Sequence, residues 1–135
     1  MKYLLDTDVV VNQLRGKTKI KENIIEKGAT ISIITFGELL YGAEKSTNKE
    51  NSLVIINGFI SDLQIDILGL NQEIMQIYAK TKKSLEGAGK RLDEFDLLIG
   101  ATAVFHSMTI ATLNLRHFKR IPGLRIANDF LHKGI

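Results

Sequence analysis

Lys2-Tyr3-Leu4-Leu5-Asp6-Thr7-Asp8-Val9-Val10-Val11 opens the chain, and its reading decides the fold. Residues 2–6 are a short apolar run that ends in a polar residue, the pattern of a buried strand. Thr7 or Asp8 is suited to cap a helix through about residue 15, and Gly16 is suited to stop it. A carboxylate at such a strand-to-helix junction costs free energy once it leaves water. Asp6 therefore calls for a reason to be there.

The rest of the chain repeats this alternation. Residues 19–27 read as a short basic and acidic helix closed by Gly28, and residues 30–34 as a strand rich in β-branched side chains. Thr35 begins a helix to about residue 45. Residues 49–63 form another, with Leu53, Ile56, Phe59, Ile60 and Leu63 as its apolar stripe. Residues 65–68 are a third strand. Asn71 caps a helix to about residue 85, which Gly87 and Gly89 end. Asp93 starts a helix that is apolar nearly all round (Leu97, Leu98, Ile99, Ala101, Ala103, Val104, Phe105), as a buried helix is. Residues 109–112 form a fourth strand, 116–118 one helical turn, and 124–126 a fifth strand after Pro122-Gly123. Such alternation predicts one domain over residues 1–135: a three-layer α/β/α sandwich around a mostly parallel sheet. Sheets of this kind bind ligands beyond the carboxyl ends of their strands. Asp6 falls at such an end, and Glu38 lies a few residues past another.

Composition narrows the function classes. With 44% hydrophobic residues in 135, the chain has enough apolar material for a core and too much for disorder. No apolar stretch is long enough to span a bilayer, and the N-terminal apolar run is too short for a signal peptide. There is no cysteine, which excludes disulfides and thiolate metal sites and agrees with a cytoplasmic location. The net charge of +3 is mild, but the cations cluster. Lys17, Lys19 and Lys21 form one group, Lys80, Lys82, Lys83, Lys90 and Arg91 a second, and Arg116, Lys119 and Arg120 a third. Basic groups rimming an acidic centre suit a polyanion.

Three acids stand at junctions: Asp6, Glu38 and Asp96. Gathered together, they would repel one another and favour a hard cation such as Mg²⁺, which takes oxygen ligands. Each also has a structural explanation. Asp6 and Asp8 could cap the first helix, and Thr35-Phe36-Gly37-Glu38 has the capping-box pattern. Asp93 is best read as a cap. Asp96 is harder to explain that way, because Leu97-Leu98-Ile99 follow it into the most apolar helix. His106, His117 and His132 lack paired zinc spacing and read as surface or helix-end residues. Gly87-Ala88-Gly89-Lys90 lacks the spacing of a phosphate-binding loop.

Four blocks resemble those of PIN-domain proteins, in the right order: Leu4-Leu5-Asp6-Thr7-Asp8-Val9, Thr35 through Ala43, Phe95 through Ala101, and Ile110-Ala111-Thr112-Leu113-Asn114 with Phe118 and Ile121-Pro122-Gly123-Leu124. The length and the Tyr41-Gly42-Ala43-Glu44-Lys45-Ser46 run resemble the VapC-type toxins of toxin–antitoxin pairs. The resemblance implies an Mg²⁺- or Mn²⁺-dependent endoribonuclease that cleaves RNA by metal-activated water. Asp6, Asp96 and Glu38 match the family's acids, and Thr7 and Thr112 match hydroxyls near the site. It further implies a homodimer and a small VapB-type antitoxin whose C-terminal segment blocks the site. Two positions depart from the pattern. Asp8 stands where the family often has Asn, and Asn114 stands where many members have a fourth acid, which leaves one or two metal ions open. Two other readings remain at this stage, a non-catalytic RNA-binding or regulatory PIN module and a haloacid-dehalogenase-like phosphatase. The phosphatase would use Asp6 and Asp8, but Val9-Val10-Val11 departs from that family's continuation.

Overall fold

The structure, a computed structural model, describes residues 2–133. Its centre is a five-stranded sheet with every neighbouring pair parallel. The strands are β1 (Tyr3–Leu5), β2 (Ala29–Ser32), β3 (Asp66–Leu68), β4 (Thr109–Ala111) and β5 (Arg125–Ile126), in the spatial order β3-β2-β1-β4-β5. Between them run α1 (Thr7–Leu14), α2 (Glu22–Gly28), α3 (Ile33–Lys45), α4 (Lys49–Asp62), α5 (Gln72–Gly87), α6 (Glu94–Phe105) and α7 (Leu115–Phe118).

The two leucines of β1 explain the layers. Successive strand side chains point to opposite faces, and Leu4 and Leu5 are both wholly buried. Leu5 packs with Val9, Val10, Ile31, Leu39, Ile56 and Phe59, which brings α1, α3 and α4 onto one face. Leu4 packs with Ile99, Ala103, Ile110 and Phe118, which brings α6 and α7 onto the other. The three-layer sandwich expected from the sequence is therefore present, and its sheet is wholly parallel.

Strand order reverses at β1. The chain steps outward through β2 and β3, then returns to lay β4 against the opposite edge of β1. The crevice between β1 and β4 is thus a topological switch point, the position where open parallel sheets bind ligands. Asp6 occupies it: its backbone N–H donates to the Ala111 carbonyl at 2.9 Å, extending the β1–β4 ladder.

Of the caps the sequence offers for α1, Asp6 is the one the structure uses. The start of α3 differs from the sequence expectation. Strand β2 stops at Ser32, and α3 begins at Ile33, two residues before the expected Thr35. Ser32 Oγ accepts from the Ile34 N–H at 3.0 Å and is the true cap. Thr35 thus lies in the first turn, wholly buried, and Glu38 falls outside any capping box. Ile33 and Ile34 are β-branched, so they extend the strand signal into what is already helix. The other expected caps hold: Asn71 accepts from the Ile74 N–H and Asp93 from the Phe95 N–H. Gly16 ends α1 with φ of 73°, a left-handed conformation that glycine adopts without strain. No helix among the described residues is long and apolar enough to cross a membrane.

Gly100 lets α6 approach the segment after α7. A Cβ there would come within 2.3 Å of Ile121 Cδ1, and Ile121 is buried. Gly100→Ala should therefore destabilise the protein by about 1–3 kcal/mol despite alanine's better helix propensity. Ile121→Val deletes the Cδ1 methyl and should recover much of that loss in the double variant, as urea unfolding will measure. Additive losses in the double variant would contradict this packing account.

Candidate active site

Asp6 is the buried acid of the switch point, only 5% exposed. Both carboxylate oxygens are engaged: Oδ1 accepts from the Thr7 N–H at 2.9 Å and Oδ2 from Thr112 Oγ1 at 2.7 Å. Burial pushes its pKa from 3.8 up to about 7. The Thr112 bond opposes that shift, the Asp8 charge adds to it, the Thr7 bond opposes it, and the Asp96 charge adds again.

Glu38 lies one turn further along α3 than Thr35. Its Oε1 accepts from Thr7 Oγ1 at 2.7 Å. Thr7 thus touches two acids at once, Asp6 through its backbone and Glu38 through its hydroxyl. Thr7 Oγ1 is also 3.0 Å from Thr35 Oγ1.

Asp96 sits in the first turn of α6, half-buried. Its pKa is raised first by burial, then by the nearby charges of Asp93, Glu38 and Asp8, while His117 opposes the shift. The mutual influence of Asp6, Asp8, Glu38 and Asp96 brings these four acids into one electrostatic neighbourhood. Asp8 holds a further signal: its Oδ1 is buried without a hydrogen-bond partner among the described residues. An orphaned buried carboxylate oxygen calls for an explanation such as an ion or water.

Thr112 and Asn114 fall on the loop after β4. Thr112 is buried, and its Oγ1 accepts from the Asn114 backbone N–H at 2.9 Å while donating to Asp6. The Asn114 side chain turns to His117, with Nδ2 2.7 Å from Nδ1. That same Nδ1 is 3.9 Å from Asp96 Oδ2. His117, read from sequence as a helix-end residue, thus belongs to the site. Its only sequence signal is its place three residues after Asn114, within a helix too short to show periodicity.

Among the described residues, no three His, Asp or Glu side chains are gathered as a ready-made metal-ligand set. The donor chemistry nevertheless fits a hard divalent cation. The candidates are all oxygen donors, their charged forms are disfavoured by burial and by one another, and Asp8 Oδ1 lacks a partner.

Several of the basic groups are already engaged. Lys19 pairs with Glu22 at 3.3 Å and Lys21 with Asp129 at 2.9 Å, where the segment after β5 folds back on α2. Lys82 bonds Glu94 and Tyr78 beside the start of α6. Arg120 Nη1 donates to the Arg91 carbonyl at 2.9 Å and ties the third basic group to the second.

A family model described as PIN domain matches residues 3–124. The chain is 33% identical over 129 residues to a tRNA(fMet)-specific endonuclease VapC from Salmonella typhimurium, covering 93% of this chain and 96% of that one. It is 31% identical over 133 residues to ribonuclease VapC2 from Haemophilus influenzae, covering 95% and 98%. Among solved structures it superposes on a chain of VapBC2 from Rickettsia felis, bound to a DNA fragment from their promoter, with a TM-score of 0.86. That chain is 30% identical, with 95% of this chain and 98% of that one covered.

The raised pKa of Asp6 has a consequence for stability. Between about 4 and 7 the folded chain holds a proton that the unfolded chain has released, so stability falls as pH rises through that window and levels above it. In chelator, the thermal midpoint of the protein should therefore decline across this range, and Asp6→Asn should flatten the decline and be the more stable protein above it. Added Mn²⁺ should raise the midpoint of the parent and leave Asp6→Asn unmoved. A variant less stable than the parent in chelator above that window would refute the assignment of a strained buried charge.

Proposed function

This chain belongs to the PIN-domain family, and from that premise we propose that it is the ribonuclease toxin of a VapBC-type toxin–antitoxin pair, cleaving RNA phosphodiester bonds with a bound Mg²⁺ or Mn²⁺. The observation that carries the reading is Asp6: a carboxylate buried at the switch point, held by Thr7 and Thr112, within the field of Asp8 and Asp96. A charge this costly at the ligand-binding end of a parallel sheet has its natural use with a cation.

Asp6 and Asp96 hold the cation directly in this reading. A bound divalent ion supplies Lewis acidity toward the phosphodiester and toward water. Glu38 orients the attacking water through Oε2, since Oε1 is occupied by Thr7. Thr112 keeps Asp6 in place and is itself braced by the Asn114 N–H. His117 stands beside Asp96 and opposes the rise in its pKa. Arg91 and Arg120, joined near the start of α6, hold the RNA backbone by charge.

The names of its relatives support a VapB-type partner. A groove of about 280 Å³ between α1, α3 and α4, lined by Val11, Leu14, Leu39, Ile55 and Ile56, runs up to Glu38 and offers an apolar segment of that antitoxin a place to lie. Homodimerisation and a cytoplasmic location complete the proposal.

Asp6→Asn and Asp96→Asn should each lower RNA cleavage by roughly a hundredfold or more, the scale seen when a preorganised electrostatic group is removed, while circular dichroism stays that of the parent. Chelator should abolish parental cleavage, and Mg²⁺ or Mn²⁺ should restore it. Parental-rate cleavage by purified Asp6→Asn would overturn the mechanism. RNA binding that persists in chelator, with no cleavage on adding either metal, would favour a non-catalytic module.

A further inference from the structure

Thr35 is a wholly buried hydroxyl in the first turn of α3. Buried helical threonines usually satisfy their hydroxyl on the carbonyl one turn back, and Thr102 does so here, donating to the Leu98 carbonyl at 2.8 Å. For Thr35 that residue is Ile31, which belongs to β2. With no helical turn behind it, the Thr35 side chain reaches across to α1, where its Oγ1 lies 3.0 Å from Thr7 Oγ1.

Counting protons sets the direction of this contact. A hydroxyl carries one proton and two acceptor sites, and an ionised carboxylate only accepts. Thr7 Oγ1 is 2.7 Å from Glu38 Oε1, so the Thr7 proton belongs to Glu38. The 3.0 Å contact between the two hydroxyls must then use the Thr35 proton, with Thr7 Oγ1 accepting. The result is a one-way chain from Thr35 to Thr7 to Glu38.

Asp6 is held by a chain of the same form. The Asn114 N–H donates to Thr112 Oγ1, and Thr112 donates to Asp6 Oδ2. In both, a threonine hydroxyl meets the acid, and a second donor behind it leaves that hydroxyl only one useful orientation. A donor chain polarises each of its members and strengthens the last bond.

We propose that Thr35 is a positioning residue for Glu38, acting through Thr7: it turns the Thr7 hydroxyl toward Oε1 and so holds the Glu38 side chain in one rotamer, with Oε2 free for water. The role rests on the nuclease reading of Glu38 given above. It needs the hydroxyl of Thr35 and not its methyl group, so serine serves and valine does not.

The test compares Thr35→Val, Thr35→Ser, Thr7→Val and the Thr7→Val/Thr35→Val double variant in RNA cleavage with Mn²⁺, alongside crystal structures of the parent and Thr35→Val. Thr35→Val should lower kcat by about tenfold to a hundredfold, the usual cost of losing a partner that orients a ligating side chain, with KM for RNA within about twofold. Its thermal midpoint should match the parent's, and Thr35→Ser should restore kcat. In the Thr7→Val background, where the chain is already cut, Thr35→Val should cost nothing more. Glu38 should occupy one rotamer in the parent crystal and several in Thr35→Val. Should valine prevent folding, Thr35→Ala carries the same expectations. Unchanged kcat in a folded Thr35→Val, or losses that add fully in the double variant, would overturn the relay. A parent that cleaves no RNA would instead sink the nuclease reading, and the relay would then stand or fall on the Glu38 rotamers alone.

Discussion

Everything at the functional end of this molecule depends on one unfavourable act, the burial of an ionisable carboxylate at the carboxyl end of the central strand. Asp6 is fixed there by main-chain geometry, because its N–H extends the β1–β4 ladder and its side chain caps α1. It cannot swing to water without giving up the Thr7 and Thr112 bonds. Those two bonds lower the cost of the charge, but burial and the neighbouring acids outweigh them, and the pKa stays near 7. Above that pH the folded protein carries at Asp6 a charge that costs more than it would in water, a cost that the proposed cation would offset. Such local cost at a functional site is offset by the stability of the surrounding fold. The offset here comes from the two apolar cores that meet at β1, with Leu4 and Leu5 buried on opposite faces.

Threonines make this arrangement possible. Thr7, Thr35 and Thr112 have small side chains whose stiff χ1 angles suit positions beside buried carboxylates. The Thr7 and Thr112 hydroxyls each donate once and accept once, so they pass a hydrogen bond onward without adding charge. Two short relays then hold two acids on different elements, β1–α1 for Asp6 and α3 for Glu38, and they share Thr7 as their point of contact. Among the described residues, Asp96, on α6, has no such relay. It faces His117 Nδ1 at 3.9 Å instead, and the Asn114 side chain meets that same nitrogen. Asn114, a neutral amide, thus stands where many family members have a fourth acid, which limits the negative charge gathered at the site.

Much of this was legible in the sequence, for physical reasons. The apolar run ending at Asp6, the alternation of strand and helix patterns, and the caps at Asn71 and Asp93 all express local preferences that the fold obeys. The start of α3 was hidden because β-branched Ile33 and Ile34 carry the strand signal past Ser32, which supplies the cap. That shift of two residues removed the structural explanation for Glu38 and turned Thr35 from a supposed cap into a buried donor. His117 was missed because its role rests on a contact across the chain with Asp96, and one turn of helix carries no periodicity from which to infer it. The basic clusters were visible as clusters. Their engagement was not, since Lys21 with Asp129 and Arg120 with the Arg91 carbonyl are long-range pairings that only the fold brings about.

The central claim is that Asp6 and Asp96 were brought together to hold a divalent cation. Anomalous X-ray scattering from crystals soaked in Mn²⁺ tests it most directly, because it locates the ion without reference to activity. The account predicts an anomalous peak bounded by the carboxylates of Asp6 and Asp96, with Glu38 facing it from α3, and no such peak in Asp6→Asn crystals. Saturated crystals with no peak at the β1–β4 switch point, or with one that persists unchanged in Asp6→Asn, would contradict it.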